Sequence, residues 1–360
     1  MDSPRISVIM PVYNGEDYLH ESLASFLSQD INRAELICVD DGSTDDTYSI
    51  LQAYQETNPE KIRIIQQENQ GSAIARNNAI EFANGEYCYF LDVDDMIPFS
   101  TTLTTLYDLA SENAVSIAGG SLLMFDENGS YTDFAGQPGL YGQQFLQDGI
   151  INYHEYQFDF GYQRFLYNRV MLIENNVRFP NFRRYQDPPF FVKAMVIADR
   201  FYATREITYK YRLRDNHIEW TAESICHLIS AILEIASFAA KNDLPDLFNL
   251  SLLRLRSDYY HVIAESILGK RDSDVLRVYL HAEENIRTLS LELPSVSHVE
   301  RYTPIEVRLH DELVELDNMK RGDPYIGLTY DEIVNSRSWK VGRAVTWLPR
   351  TMRNRKRNRK

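Results

Sequence analysis

Features that would mark a membrane, secreted or repetitive protein are scarce in these 360 residues. No apolar run approaches the ~20 residues that a bilayer-spanning helix requires. The first residues, Met1-Asp2-Ser3-Pro4-Arg5, lack the basic-then-apolar order of a signal peptide. Three cysteines, Cys38, Cys88 and Cys226, make an odd number without metal-ligand spacing. Cys38 and Cys88 fall in expected buried strands, which argues for small apolar core residues rather than disulfides. A cytoplasmic chain is the simplest expectation. No internal repeat appears, and no low-complexity segment precedes residue 336. Positive charge is also scarce: the net charge is −15, and residues 336–360 hold ten Lys or Arg with no Asp or Glu, which leaves about −25 for the rest. So acidic a body argues against general nucleic-acid binding. At 44% hydrophobic and 25% charged, the chain has an ordinary globular composition and is too long for one small core, so two units are expected.

Against this background stands the run Tyr87-Cys88-Tyr89-Phe90-Leu91-Asp92-Val93-Asp94-Asp95. A short β-prone stretch ends in three carboxylates within four positions. Carboxylates packed so closely repel unless a cation or hydrogen-bond donors offset them. Hard oxygen ligands suit Mg²⁺ or Mn²⁺, which in turn hold phosphates. Ligands of open α/β sheets bind at the carboxyl ends of strands.

The rest of the first 120 residues alternates in the same way. Strands are expected over 5–12, 35–39, 62–65, 86–91 and 114–118. Helices are expected over 16–29, 46–57, 71–83 and 99–113, with Asp45 as the N-cap of the second. Alternation of this kind implies a mostly parallel sheet with helices on both faces. From 120 to 215 the pattern is less regular and rich in aromatics. Helices are expected again over 221–241, 244–268 and 273–290.

Each polar motif has an ordinary structural explanation beside the functional one. Asp40-Asp41-Gly42-Ser43 is a good turn leading into a helix, but its carboxylates can also accept from a base edge and ribose hydroxyls. Asp95 suits a cap for the helix near 99. Tyr13 is a surface aromatic or a stacking partner for a nucleobase. Arg76 is a solvated helical arginine, or an anion partner near a helix N-terminus. Asp187 is an N-cap before a Pro-initiated helix when read alone.

Together, four segments resemble glycosyltransferase family 2 of the bacterial polysaccharide type, inverting enzymes of the GT-A fold that use sugar nucleotides. They are Ser7-Val8-Ile9-Met10-Pro11-Val12-Tyr13-Asn14-Gly15, Val39-Asp40-Asp41-Gly42-Ser43-Thr44-Asp45, Asn69-Gln70-Gly71 with Ala75-Arg76-Asn77, and Phe90-Leu91-Asp92-Val93-Asp94-Asp95. Their order and spacing match the family over about residues 5–97. The resemblance implies an α/β GT-A domain over 1–215, with a donor half to about 120 and an acceptor half beyond it. A helical C-terminal domain over 216–335 and a basic amphipathic tail over 336–360 would follow.

The resemblance also implies site residues. Pro11, Tyr13 and Asp41 would contact the base, with Asp40 close by and Arg76 near the base or diphosphate. Asp92 and Asp94 would form the metal-binding pair for Mn²⁺ or Mg²⁺, with Asp92 also facing the nucleotide. The family's base is usually the Asp of a Glu-Asp pair, followed by two residues and Phe. Here the stretch reads Tyr185-Gln186-Asp187-Pro188-Pro189-Phe190, so Asp187 aligns as the base while Gln186 replaces the usual Glu. Arg212 or Arg214 would clamp the diphosphate, and His217 would supply a further metal ligand or touch the acceptor. Trp220 serves equally as a sugar platform or a core residue.

The implied reaction moves one sugar, most readily from a UDP-sugar, to a glycan or lipid-linked acceptor in surface polysaccharide or exopolysaccharide assembly. The helical domain would bind acceptor, form homo- or hetero-oligomers, or dock a partner enzyme. The tail mixes Trp339 and Trp347 with a polybasic end, which suits peripheral contact with an anionic membrane face. A sugar-nucleotidyltransferase is the rival enzyme class, but it needs a Gly-rich basic loop where Pro11-Val12-Tyr13-Asn14 stands. A glycosyltransferase-like scaffold supporting an active partner is the non-enzymatic rival.

Overall fold

The computed structural model describes residues 4–31, 33–126, 129–131, 144–214 and 219–292. His217 and the basic tail therefore lie outside the described residues. Four strands, β1 (Ile6–Val12), β2 (Ala34–Asp40), β3 (Ile62–Gln66) and β4 (Tyr87–Phe90), pair in parallel in the spatial order β3-β2-β1-β4. Every residue of β1 and β2 is buried, as the continuous apolar runs predict for strands covered on both faces.

Side chains alternate between two cores. Val8 and Met10 pack with Leu19, Leu23 and Phe26 of α1 (Glu16–Leu27), Leu51 of α2 (Thr47–Thr57), and Leu103 and Leu106 of α4 (Thr102–Glu112). Ile9 and Ile37 pack on the other face with Ala75, Ala79 and Ile80 of α3 (Ser72–Phe82).

The stretch from 120 to 215 is more regular than its sequence suggests. It contains most of β5 (Ile117–Asp126), then β6 (Gly129–Tyr131), β7 (Gly149–Asn152), β8 (Phe165–Asn168) and β9 (Arg200–Arg212). They extend the sheet to nine strands, in the order β3-β2-β1-β4-β8-β5-β9-β7 with β6 beside β5. β8 runs antiparallel between β4 and β5, while β5 and β9 run parallel. Three helices, α5 (Tyr153–Tyr156), α6 (Arg169–Glu174) and α7 (Asp187–Ala198), punctuate it. Many of its aromatics are core: Tyr153, Tyr162, Phe165 and Tyr167 are all buried, whereas Tyr156, Phe158 and Phe160 are half-buried.

Between residues 219 and 292 the chain is helical: α8 (Ala222–Lys241), α9 (Pro245–Leu253), α10 (Tyr260–Ala264) and α11 (Ser273–Glu292). The helix expected over 244–268 is instead interrupted by two π turns, Arg254–Asp258 and Glu265–Gly269. By length and composition α8 is apolar enough to cross a membrane, contrary to the sequence expectation. Its apolar face is occupied, because Ile225, Leu228, Ile229, Ile232 and Ile235 share the core that also holds Phe190, Phe191 and the α3 alanines. Cys38, Cys88 and Cys226 are free thiols.

Candidate active site

The site gathers at the carboxyl ends of β1, β2 and β4. Pro11 is buried within β1, whereas Tyr13, just past its end, is 50% exposed. Asn14 links the first two loops: its side-chain oxygen accepts from Thr44 N at 2.8 Å. Asp40 and Asp41 are both buried and engaged with the chain itself. Asp40 accepts from Ser43 N at 3.0 Å. Asp41 accepts from Gln67 Nε2 at 2.7 Å and from Gln70 N and Gly71 N, both at 2.8 Å. Gly71 has φ +93°, which a side chain would resist, and so turns its N–H onto Asp41. Three of the roughly four acceptor sites of Asp41 are thus taken by the loop ahead of α3.

The mutual repulsion expected at Asp92, Asp94 and Asp95 is offset residue by residue. Arg76 Nη2 donates to Asp92 Oδ1 at 2.6 Å. Arg214 pairs with the Asp94 carboxylate. Asp95 is buried and accepts from Tyr209 Oη at 2.7 Å and from Arg212 N at 2.8 Å. Burial, reinforced by Asp92, raises the Asp95 carboxyl well above the usual range, while these two donors oppose the rise. Asp95 therefore ties the end of β9 to the end of β4. It does not cap α4, whose first residue, Thr102, lies seven positions further on.

Arg76 organises the centre. Its side chain is 5% exposed, lies 5.3 and 5.2 Å from the ring centroids of Tyr162 and Phe179, and reaches Asp187 Oδ1 at 3.5 Å with Nη1. One guanidinium thus stands between the strand-end Asp92 and the α7 residue Asp187. Asp187 keeps a third of its side chain exposed and so is open to solvent. Burial nonetheless pushes its carboxyl up to about 6; Arg76 opposes that shift and Asp92 adds to it. Gln186 donates to Ser72 Oγ at 3.1 Å, at the start of α3. The neutral residue therefore still connects α7 to α3.

The two expected clamp residues diverge. Arg214 lies over Tyr18 and on Asp94. Arg212 pairs with Glu21 of α1 and donates from Nε to the Asp94 carbonyl at 2.8 Å. Trp220 is half-buried between Arg184 and Tyr259. Sequence reasoning missed Tyr162 and Tyr209. Tyr162 Oη approaches Asp92 Oδ1 at 3.5 Å, and Tyr209 Oη accepts from Asp92 N at 3.1 Å. Their positions in an aromatic crowd and on β9 carry no motif, so no local signal marks them.

Among the described residues no cluster of three or more His, Cys, Asp or Glu closes on a metal. The donor set still fits Mg²⁺ or Mn²⁺, which take one or two carboxylates and fill their remaining positions with water and substrate phosphates.

Comparison with known proteins agrees with this geometry. Residues 7–171 match the model of glycosyl transferase family 2. Glycosyltransferase GlyG of Streptococcus pneumoniae serotype 4 is 29% identical over 78% of this chain and 98% of its own length. The putative teichuronic acid biosynthesis glycosyltransferase TuaG of Bacillus subtilis is 31% identical over 61% of this chain and 84% of its own. The crystal structure of S. aureus TarS 1-349 in complex with UDP-GlcNAc superposes with a TM-score of 0.63 at 21% identity, covering 81% of this chain and 83% of that one; this likeness shows the fold. The chain belongs to glycosyltransferase family 2 and is a glycosyltransferase with the GT-A fold.

Proposed function

We propose that this protein transfers a single sugar, with inversion, from a UDP-sugar to a hydroxyl of a growing surface glycan. The observation that carries the reading is the bridge Asp92–Arg76–Asp187, which sets a donor-side carboxylate and a raised-pKa carboxylate on two sides of one guanidinium. Inversion requires a base opposite the departing diphosphate. Asp187 is open to solvent, and a group titrating near 6 is charged at neutral pH yet basic enough to accept the hydroxyl proton as attack proceeds.

Asp94, with Asp92 directly or through water, would hold the divalent cation. When bound, that cation supplies Lewis-acid stabilisation of the leaving diphosphate. Arg214, now on Asp94, would be free to clamp the phosphates once the carboxylate had a metal partner. Tyr13 offers an exposed ring for the base, and Asp41 shapes the base pocket by holding the Gln67–Gly71 loop. A UDP donor accords with the TarS complex, and a surface-glycan acceptor accords with the name of TuaG. The presence of Asp41, Asp92, Asp94 and Asp187 favours an active enzyme over an inert scaffold.

Thermal unfolding with a panel of nucleotide sugars, with and without Mn²⁺, tests the reading. A ligand that binds only the folded state raises the midpoint by mass action. A metal-dependent rise with one UDP-sugar is the expected result. No rise with any nucleotide would overturn the donor assignment.

A further inference from the structure

Behind Asp187 lies a buried charge cluster that the transfer chemistry does not use. Arg254 and Asp159 are 2% and 1% exposed. Arg254 donates to Asp159 from Nη2 and Nε at 2.9 and 3.3 Å, and to Asp258 from Nη1 at 2.8 Å. Its guanidinium also lies 4.5 Å from the centroid of the Phe160 ring. Arg254 opens the π turn Arg254–Asp258, and single π turns within helices recur at functional sites. A buried ion pair seldom stabilises a fold more than apolar side chains of similar volume would, so stability alone does not account for it.

Asp159 also faces the segment that carries Asp187. Tyr185 Oη approaches Asp159 Oδ2 at 3.5 Å, and the Tyr185 ring meets Phe160 and Tyr259 edge-on at 5.4 and 5.5 Å. Tyr185 has φ +65°, a left-handed conformation that is strained for a residue with a side chain. Asp187 follows two residues later. The turn that aims it is therefore strained, and ring packing and a buried ion pair hold it in place. The Asp159 segment is fixed at its other end as well, where Gln157 Oε1 accepts from Asp246 N and Leu247 N at 2.9 and 3.1 Å.

We infer that Arg254 is a positioning residue for the transfer: through Asp159 and Tyr185 it holds the left-handed turn that aims Asp187 at the acceptor hydroxyl. The inference rests on Asp187 being the base. It gives the helical region beyond residue 219 a part in catalysis, as the back wall of the base.

The test is steady-state kinetics on the full chain, normalised to folded protein by circular dichroism. The double variant Asp159→Asn/Arg254→Gln removes both charges and keeps a hydrogen-bonded pair. It is expected to lower kcat about tenfold to a hundredfold, the effect of a displacement of ~1 Å, with the donor KM within about twofold of wild type. Arg254→Lys, whose ammonium can still pair with Asp159, should recover most of kcat. Tyr185→Phe keeps the ring contacts and loses the hydroxyl, and should fall between. A folded double variant with wild-type kcat overturns the inference, as does a loss shared equally by kcat and donor affinity. Should the double variant not fold, wild-type kcat in a folded Tyr185→Phe variant overturns it equally. Asp187→Asn, measured alongside, separates the two ideas: if it retains activity, the base assignment fails and this inference falls with it; if it is inactive, the Arg254 results stand alone.

Discussion

On the donor side of Arg76, each acidic residue stands within a few positions of a strand end: Asp40 and Asp41 at β2, and Asp92, Asp94 and Asp95 after β4. On the other side, Asp187 owes its surroundings to Tyr185, Asp159 and Arg254, the last two 95 positions apart in sequence. Asp41 is held by loop N–H groups, Asp92 by the buried Arg76, and Asp94 and Asp95 by Arg214, Tyr209 and Arg212. The segment that carries Asp187 is held by buried rings and a buried ion pair. Placement at a strand end is written locally in the sequence; the contacts that hold a carboxylate come from distant segments on both sides, and they let remote residues set the geometry.

Substitutions can break this division or sharpen it. The largest effect is expected from Asp187→Asn, which should lower kcat by about 10²–10⁴-fold, the usual worth of a general base, while the nucleotide-induced thermal shift persists. The pH profile gives the same residue a signature. A general base acts deprotonated, and the Asp187 carboxyl is raised to about 6, so if Asp187 is that base wild-type kcat/KM should fall as pH drops through about 6. A profile flat down to pH 5 would count against the assignment.

Arg76→Met should strike both sides at once. It leaves Asp92 and Asp187 without their shared cation, and a broken buried pair costs about 3–5 kcal/mol, readable by urea unfolding. Asp94→Asn should act on the donor side alone: the metal-dependent part of the thermal shift disappears, while the fold and the metal-free baseline are kept. A persistent Mn²⁺ effect would move the cation elsewhere. Tyr13→Ala should be mildest, weakening nucleotide binding by about 1 kcal/mol as one ring contact is lost, measured by titration calorimetry.

The donor side was largely legible in the sequence because its signals are local. The strands ending at Asp40 and Phe90 were visible as apolar runs broken by carboxylates and the one ending at Val12 as an apolar run closed by a turn, and Arg76 could be placed beside them. What these residues touch was not legible. Asp95 looked like a helix cap and instead holds β9, a contact with Arg212 that spans 117 positions. Arg212 and Arg214 look equivalent in the sequence, yet one turns to Glu21 and the other to Asp94. Between 120 and 215, β5 and β8 were hidden because both of their faces are largely buried, which erases the two-residue alternation. Shifts of register between β5 and β9 around Ser121 break the pattern further. Nothing near Arg254 marked it, since its meaning depends on Asp159, and only folding brings the two together.

The place of β8 in the sheet also orders events during synthesis. Tyr87–Phe90 can join β1 as soon as the first ninety residues have emerged, but its outer edge waits for Phe165–Asn168. Until then the nascent chain carries an open strand edge beside Asp92, a liability for mispairing. Tyr209 and Arg212 arrive later still to secure Asp95. The pocket is therefore finished from its far end, and ribosome-bound chains that stop before residue 165 should retain no nucleotide.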